Sequence, residues 1–385
     1  MLKATSRILQ KKLEEYKIPS DLDFIIVQHL MNDTCQFIQL LLKAGIRVSA
    51  VVGIPYSLKP SVVKELENNG VNVLRPDIDK IADVVLKLVT DAAKIGRRVI
   101  VHEVGGYCAP LAAKSLKFRK NCIGVVEETK QGLWRYQQVQ SDLQKFPIVH
   151  FAESKLKVME GEFVGRAVAR SVDEDLAHLG RSIESSRIGV IGFGDIGAGV
   201  ARSLRSRGAH VWCHDIRPIR LMQAVAQGFI CVARDRILRE CNAIVGATGK
   251  ASFTDKHIKP LQNGILLCSA SSRDLEFPIG AISTSAKHEK ELISPNVTEY
   301  KLSNGKTLRI SDNGYPVNFR SMSLPPSFGD LMFCLVTVGF FGLLQGKYKS
   351  GIMALNSEDE ELIANEWWMS HCGESSPDGE WEFSI

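Results

Sequence analysis

The 385-residue sequence predicts an α/β chain built on two parallel sheets, each covered by helices on both faces. Two observations carry that expectation. Short apolar runs alternate with helix-length segments in two separate series. The second series opens on Gly192-Phe193-Gly194-Asp195-Ile196-Gly197, set between a strand signal and a helix signal. A chain of this length holds two domains of ordinary size.

Taken in order, the first series begins with Asp23–Gln28, a β-rich run. An amphipathic stretch over Asp33–Ala44 follows, then a second strand over Gly45–Gly53. Further apolar runs at Arg98–His102, Gly124–Glu127 and Ile148–Ala152 are spaced by helix-length segments. The second series has strands at Arg187–Gly192, His210–Asp215, Ala243–Thr248 and Ile265–Ser269, with a helix from about Ile196 to Gly208. Asn304-Gly305 marks a hairpin turn within Tyr300–Leu308. The apolar run Met332–Leu344, at 13 residues, is too short to cross a bilayer and reads as a buried helix. These signals place the first part of one domain at 1–168 and a central domain at 169–323. A helix returns to the first domain at 324–356, and an acidic, Trp-rich tail occupies 357–385.

Composition narrows the partners. The net charge of +5 suggests no extended nucleic-acid surface, and no segment reads as a membrane span. From Glu358 onward there are nine acidic residues and no Lys or Arg, which leaves the body of the chain basic enough to favour an anionic ligand. Nine cysteines without a Cys-x-x-Cys pair fit reduced, packed thiols, a cytoplasmic setting and no metal site. Three of the five tryptophans fall in the tail, so that segment is expected to dock on this chain or on a partner.

The glycine turn is the strongest chemical signal. A strand ends at Gly192, a helix starts after Gly197, and Asp215 ends the next strand 18 residues past Gly197. Glycines there allow backbone N–H groups at a helix N-terminus to approach a pyrophosphate, with Asp195 and Ile196 opening the helix. A carboxylate at 215 accepts ribose hydroxyls and repels a 2′-phosphate, so NAD is the expected cofactor. Arg217 and Arg220 nearby leave NADP open.

Gly192–Gly199 followed by His214-Asp215-Ile216-Arg217-Pro218 resembles the cofactor region of the adenosylhomocysteinase family. So do Val245–Gly249, Tyr300–Lys306 and Pro316–Phe319. In the first domain the resemblance runs through His29, Glu103–Gly106, Glu127–Thr129 and Glu153–Lys157, and it spans roughly residues 20–345. It implies a discontinuous substrate domain around a central NAD domain. It implies NAD-dependent oxidation of a substrate hydroxyl, followed by elimination, hydration and re-reduction. By this resemblance Glu128 holds ribose hydroxyls, Lys157 stands beside the oxidised carbon, and His29 serves elimination and hydration. Thr129, Thr248 and Asn318 fall to the cofactor.

Other matched positions differ. The family's catalytic aspartate before Gly-Gly is Val104, with Glu103 expected on the opposite strand face. The aspartate partnering the lysine falls at Gly161, its neighbouring asparagine at Glu162 and a following cysteine at Arg166. Two family histidines are Ser272 and Pro325, and two cofactor threonines are Lys130 and Gln131. Glu162 and Ser272 thereby become candidates for contacting a different substrate. Two readings follow: an oxidoreductase-type enzyme acting on a hydroxyl of a small, nucleoside-like substrate, or a non-catalytic NAD-binding sensor. Hydrolysis of the family's thioether is the least favoured. A homodimer is compatible with either.

Overall fold

The computed structural model describes residues 2–271, 273–287 and 290–373. The chain forms two compact units, residues 2–158 with 325–373, and residues 159–324.

In the first unit the strands are β1 (Leu22–Leu30), β2 (Val48–Leu58), β3 (Val73–Leu74), β4 (Arg98–Glu103), β5 (Cys122–Glu127) and β6 (Ile148–His150), all but β3 formed by the apolar runs. They align in parallel in the order β6-β5-β4-β1-β2-β3. Strands buried on both faces must be apolar throughout, which is why Phe24-Ile25-Ile26-Val27 reads as one continuous run. One face packs Ile25, Val27, Val99 and Val101 against helices that include Ile81–Lys94. On the other face lies Pro326–Leu344, where Phe340 meets Phe24 at 4.6 Å between ring centroids and Phe333 stacks on Phe37 at 4.4 Å. This helix is 19 residues long, six more than the apolar run suggested. Its first turn begins at Pro326, a favoured first helical residue. Its length and apolarity would suit a bilayer, yet it is a core helix, buried along most of its length.

In the second unit the strands are β7 (Arg187–Ile191), β8 (His210–His214), β9 (Ile230–Cys231), β10 (Ala243–Gly246), β11 (Ile265–Ser269), β12 (Lys290–Leu292), β13 (Val297–Lys301) and β14 (Thr307–Ser311). Their order is β12-β13-β14-β11-β10-β7-β8-β9, parallel except for the β12-β13-β14 meander at one edge. Alternate residues feed the two faces. Val190, Val245 and Leu266 enter one core, while Ile191, Ile244 and Leu267 enter the other. In both units strand order reverses beside the first strand, opening a crevice at the carboxyl ends where ligands settle in such sheets.

The chain changes unit at 158/159, not at 168/169. The reason is the helix Glu160–His178, whose Gly161 and Gly165 lie against the helix Asp195–Ser206 of the second unit. The last segment also differs from a simple tail. After β15 (Ile352–Ala354) adds to β6, residues Ser357–His371 form a helix packed on Lys3–Glu15. The Trp367 indole donates to the Ser327 carbonyl at 2.6 Å. His371 Nε2 meets Asp330 at 2.8 Å, and Asp330 accepts from the backbone N–H groups of Ala4 and Thr5. The described part of the Trp-rich end is therefore docked on its own chain. Trp381 lies outside the described residues.

Candidate active site

The first unit gathers its chemistry at the carboxyl ends of β1, β4, β5 and β6. Glu128 follows β5, and Lys157 sits in the short helix Lys155–Val158 after β6. Lys157 Nζ donates to Glu128 Oε1 at 3.0 Å, with both residues buried. Gln28, near the end of β1, donates from Nε2 to Glu128 Oε2 at 2.9 Å, and His102 Nε2 lies 3.4 Å from the same oxygen. Burial alone would raise the Glu128 carboxyl. The Lys157 ammonium and the hydrogen bonds from His102 and Lys157 outweigh it and hold the group well below the usual carboxylate range. His29 is half-buried next along β1, with Nδ1 on the Ser57 hydroxyl. Burial pushes its imidazole down to about 4, with Glu128 opposing and Lys157 reinforcing the shift. The site is thus an anchored carboxylate–lysine pair beside a neutral imidazole.

Glu103 and Glu127 do not join this group. Glu103 accepts from the Cys108 backbone N–H and the Tyr136 hydroxyl. Glu127 accepts from Gly106 N–H at 2.8 Å and from both the N–H and the hydroxyl of Thr129. Thr129 also caps the helix Lys130–Gln138 by accepting from Gly132 N–H. Its hydroxyl is thereby engaged within the first unit.

In the second unit the glycine turn forms as its spacing requires. Gly192 has φ +96°, and a Cβ on Gly197 would lie 1.9 Å from the Gly192 carbonyl oxygen, so neither tolerates a side chain. Gly194 differs: its φ of −76° suits any residue, and a Cβ there would meet nothing within 4 Å. The open face it leaves, at the start of the helix Asp195–Ser206, is where a pyrophosphate can approach backbone N–H groups. Asp215 accepts from Phe193 N–H at 2.7 Å and from Arg217 N–H at 2.8 Å, which fixes its carboxylate over the turn. Arg220 leans toward Asp195 at 3.8 Å. These residues fit NAD. Thr248 sits after β10, where its N–H and hydroxyl and the Gly249 N–H all donate to buried Glu276. Asn318 is buried and donates to the Ser323 hydroxyl at 3.0 Å. Glu162 pairs with Arg202 at 2.8 Å and more loosely with Arg166 at 3.4 Å. Ser272 lies outside the described residues.

Comparison with known proteins agrees with this geometry. Residues 180–323 match the S-adenosyl-L-homocysteine hydrolase, NAD binding domain family. An adenosylhomocysteinase of Sulfurisphaera tokodaii is 23% identical over 364 residues, covering 92% of this chain and 86% of that protein. An S-inosyl-L-homocysteine hydrolase of Methanopyrus kandleri is 24% identical, covering 85% of this chain and 77% of that protein. Among solved structures, the dipicolinate synthase A chain of Bacillus subtilis aligns at 10% identity with a TM-score of 0.42, over 85% of this chain and 97% of that one.

The chain is thus similar to adenosylhomocysteinases along most of its length, and residues 180–323 of its second unit match that family's NAD-binding domain. Against the family pattern, the changed positions have structural accounts. A Cβ at Gly161 would stand 2.7 Å from the Asp195 backbone oxygen, so no aspartate fits there in this packing. Val104 is buried among apolar side chains, and Glu103 beside it is turned to Tyr136 of the same cluster. The sequence reading missed Gln28, His102 and Glu276. For the first two a signal existed, a polar residue at the end of an otherwise apolar parallel strand. For Glu276 the signal was absent, because Ser271 close by is one of many serines and its other side-chain partners, Thr248 and Ser252, lie more than 20 residues away.

Proposed function

We propose that this protein oxidises a hydroxyl of a small, nucleoside-like substrate while holding NAD on its second unit. The observation that carries the reading is the buried Glu128–Lys157 pair, 3.0 Å apart, beside His29 at the carboxyl edge of the first sheet. Bound NAD supplies a hydride acceptor. Glu128 accepts a hydrogen bond from the substrate and so fixes the carbinol carbon. In the turnover form in which it is the neutral amine, Lys157 Nζ takes up the hydroxyl proton and becomes the ammonium that pairs with Glu128, a positioned general base of the kind that contributes about 10²–10⁴ in rate. His29, neutral near pH 7, can accept a proton from an adjacent carbon or from water. Gly192, Gly194, Gly197 and Asp215 hold the cofactor's pyrophosphate and adenosine ribose, and Thr129, Thr248 and Asn318 are assigned near it. Glu162 and Ser272 are assigned to the substrate.

A non-catalytic NAD-binding role is the second reading, favoured by the apolar Val104 and the sterically closed Gly161. The two separate in one experiment. Purified protein is mixed with NAD and with a panel of nucleosides, and absorbance near 340 nm is followed. The enzyme reading expects at least one nucleoside to generate reduced cofactor, and Lys157→Ala to abolish that signal while nucleoside binding persists. No reduction with any nucleoside, alongside tight NAD binding, leaves the sensor role standing instead.

A further inference from the structure

An ionised carboxylate offers about four acceptor positions, two on each oxygen. In Glu128 three are already filled by the protein. Gln28 Nε2 at 2.9 Å and His102 Nε2 at 3.4 Å both address Oε2, and Lys157 Nζ at 3.0 Å addresses Oε1. The two groups on Oε2 are locked. Gln28 cannot turn its amide, because its own Oε1 accepts the His29 backbone N–H at 2.7 Å. His102 is fully buried, its ring lying nearly parallel to Phe24 at 6.5 Å. Its Nδ1 has no hydrogen-bond partner among the described residues. The proton must then sit on Nε2, where it meets the carboxylate, since a proton on Nδ1 would be a buried donor with nothing to receive it.

We infer that Gln28 and His102 are positioning residues that leave Glu128 able to accept from one substrate hydroxyl only. The substrate is therefore recognised at this carboxylate through a single hydroxyl, and a vicinal diol is not gripped at both oxygens by it. The inference rests on the reading of Glu128 as the group that orients the substrate hydroxyl. It extends that reading by naming the residues that set its capacity. Gln28 has a further consequence, since one amide bridges the His29 backbone and Glu128 and fixes the spacing between them.

The test uses the full chain with NAD and three probes, adenosine, 2′-deoxyadenosine and 3′-deoxyadenosine, in equilibrium binding. One deoxy probe is expected to bind within about threefold of adenosine. The other is expected to weaken by about tenfold or more, as loss of a hydrogen bond to a charged group implies. Weakening of both by tenfold overturns the inference. His102→Leu should weaken adenosine, and His102→Gln, whose amide can donate from the same place, should restore it. Failure of the glutamine variant to rescue counts against a positioning role. A ligand-free measurement stands apart from the nucleoside reading. Imidazole ¹⁵N NMR of the wild type should show His102 protonated at Nε2, with its signals displaced in Glu128→Gln. If no probe binds but this tautomer is found, the nucleoside reading falls and the His102–Glu128 assignment stands. A proton on Nδ1 overturns the assignment whatever binds.

Discussion

Gly194→Ala separates the fold of the second unit from its cofactor. At this position φ is −76° and ψ −165°, a conformation open to alanine, and the added Cβ meets nothing within 4 Å. Replacing glycine by alanine at a compatible position stabilises by about 0.4–1 kcal/mol through the unfolded chain. For a unit of this size that raises Tm by roughly 1–4 °C. The same methyl stands on the open face before the helix Asp195–Ser206, where the pyrophosphate must reach backbone N–H groups. Forcing a methyl into a tight contact costs about 1–3 kcal/mol, which is roughly 5- to 150-fold in Kd. Calorimetric NAD titration with thermal denaturation of the ligand-free protein reads both effects. Gly197→Ala is the contrasting control: its Cβ would lie 1.9 Å from the Gly192 carbonyl oxygen, so it should lose stability as well as NAD. An unchanged Kd for Gly194→Ala, or a fall in its ligand-free Tm, would refute the placement of the cofactor on this turn.

Gly165→Ala tests the contact between the helices Glu160–His178 and Asp195–Ser206. Helix propensity alone gains about 1 kcal/mol, but the Cβ would lie 2.3 Å from the Gly199 backbone carbon, which cannot move aside as a side chain would. We expect a lower Tm than wild type by differential scanning calorimetry, and a rise would show that the helices are not in glycine contact. The His29 imidazole gives a pH prediction. Its folded value of about 4 lies below the ordinary 6.5, so its contribution is complete above pH 6.5 and is lost as pH falls toward 4. Wild type minus His29→Asn urea midpoints, measured from pH 7.5 to 4, should shrink over that window; a difference that stays level would mean the imidazole is not desolvated.

The sequence displays the fold where a strand is long enough to carry a pattern. Residues Phe24–Val27 and Ile188–Ile191 are four-residue apolar runs, and the glycine turn adds a spacing that few other structures need. The edge strands β3, β9 and β15, of two or three residues each, carry no period and were invisible. The unit boundary was misplaced for a physical reason. Lys155–Val158 runs almost directly into Glu160–His178, with no linker composition to mark the change. At the site, Glu128, Lys157 and His29 were legible through motif and position. The donors that fix Glu128 come from other strands, and sequence spacing says nothing about which strands become neighbours. Glu162 and Arg166 show the converse. As a new charge Glu162 suggested a substrate contact, and the fold gives it Arg202 as its nearer partner and Arg166 as the looser one.

The altered positions make one consistent picture when read as packing. The family's aspartate position is occupied by Gly161, which lies against Asp195, while Gly199 on the facing helix would put a Cβ 2.2 Å from the Gly161 carbonyl oxygen. This close approach brings the helix Glu160–His178 against the very helix whose N-terminus faces the pyrophosphate. An aspartate at 161 would push that helix away, so the glycine there and the support behind the cofactor turn go together. On the first unit the carboxylate next to Val104 has not vanished either. Glu103 carries it, but on the far strand face, where Tyr136 and the Cys108 N–H satisfy it and no substrate can reach it. What survives toward the open edge is the trio His29, Glu128 and Lys157, with Gln28 and His102 holding Glu128. A lysine, a hydrogen-bond acceptor and a neutral imidazole are what alcohol oxidation asks of a protein.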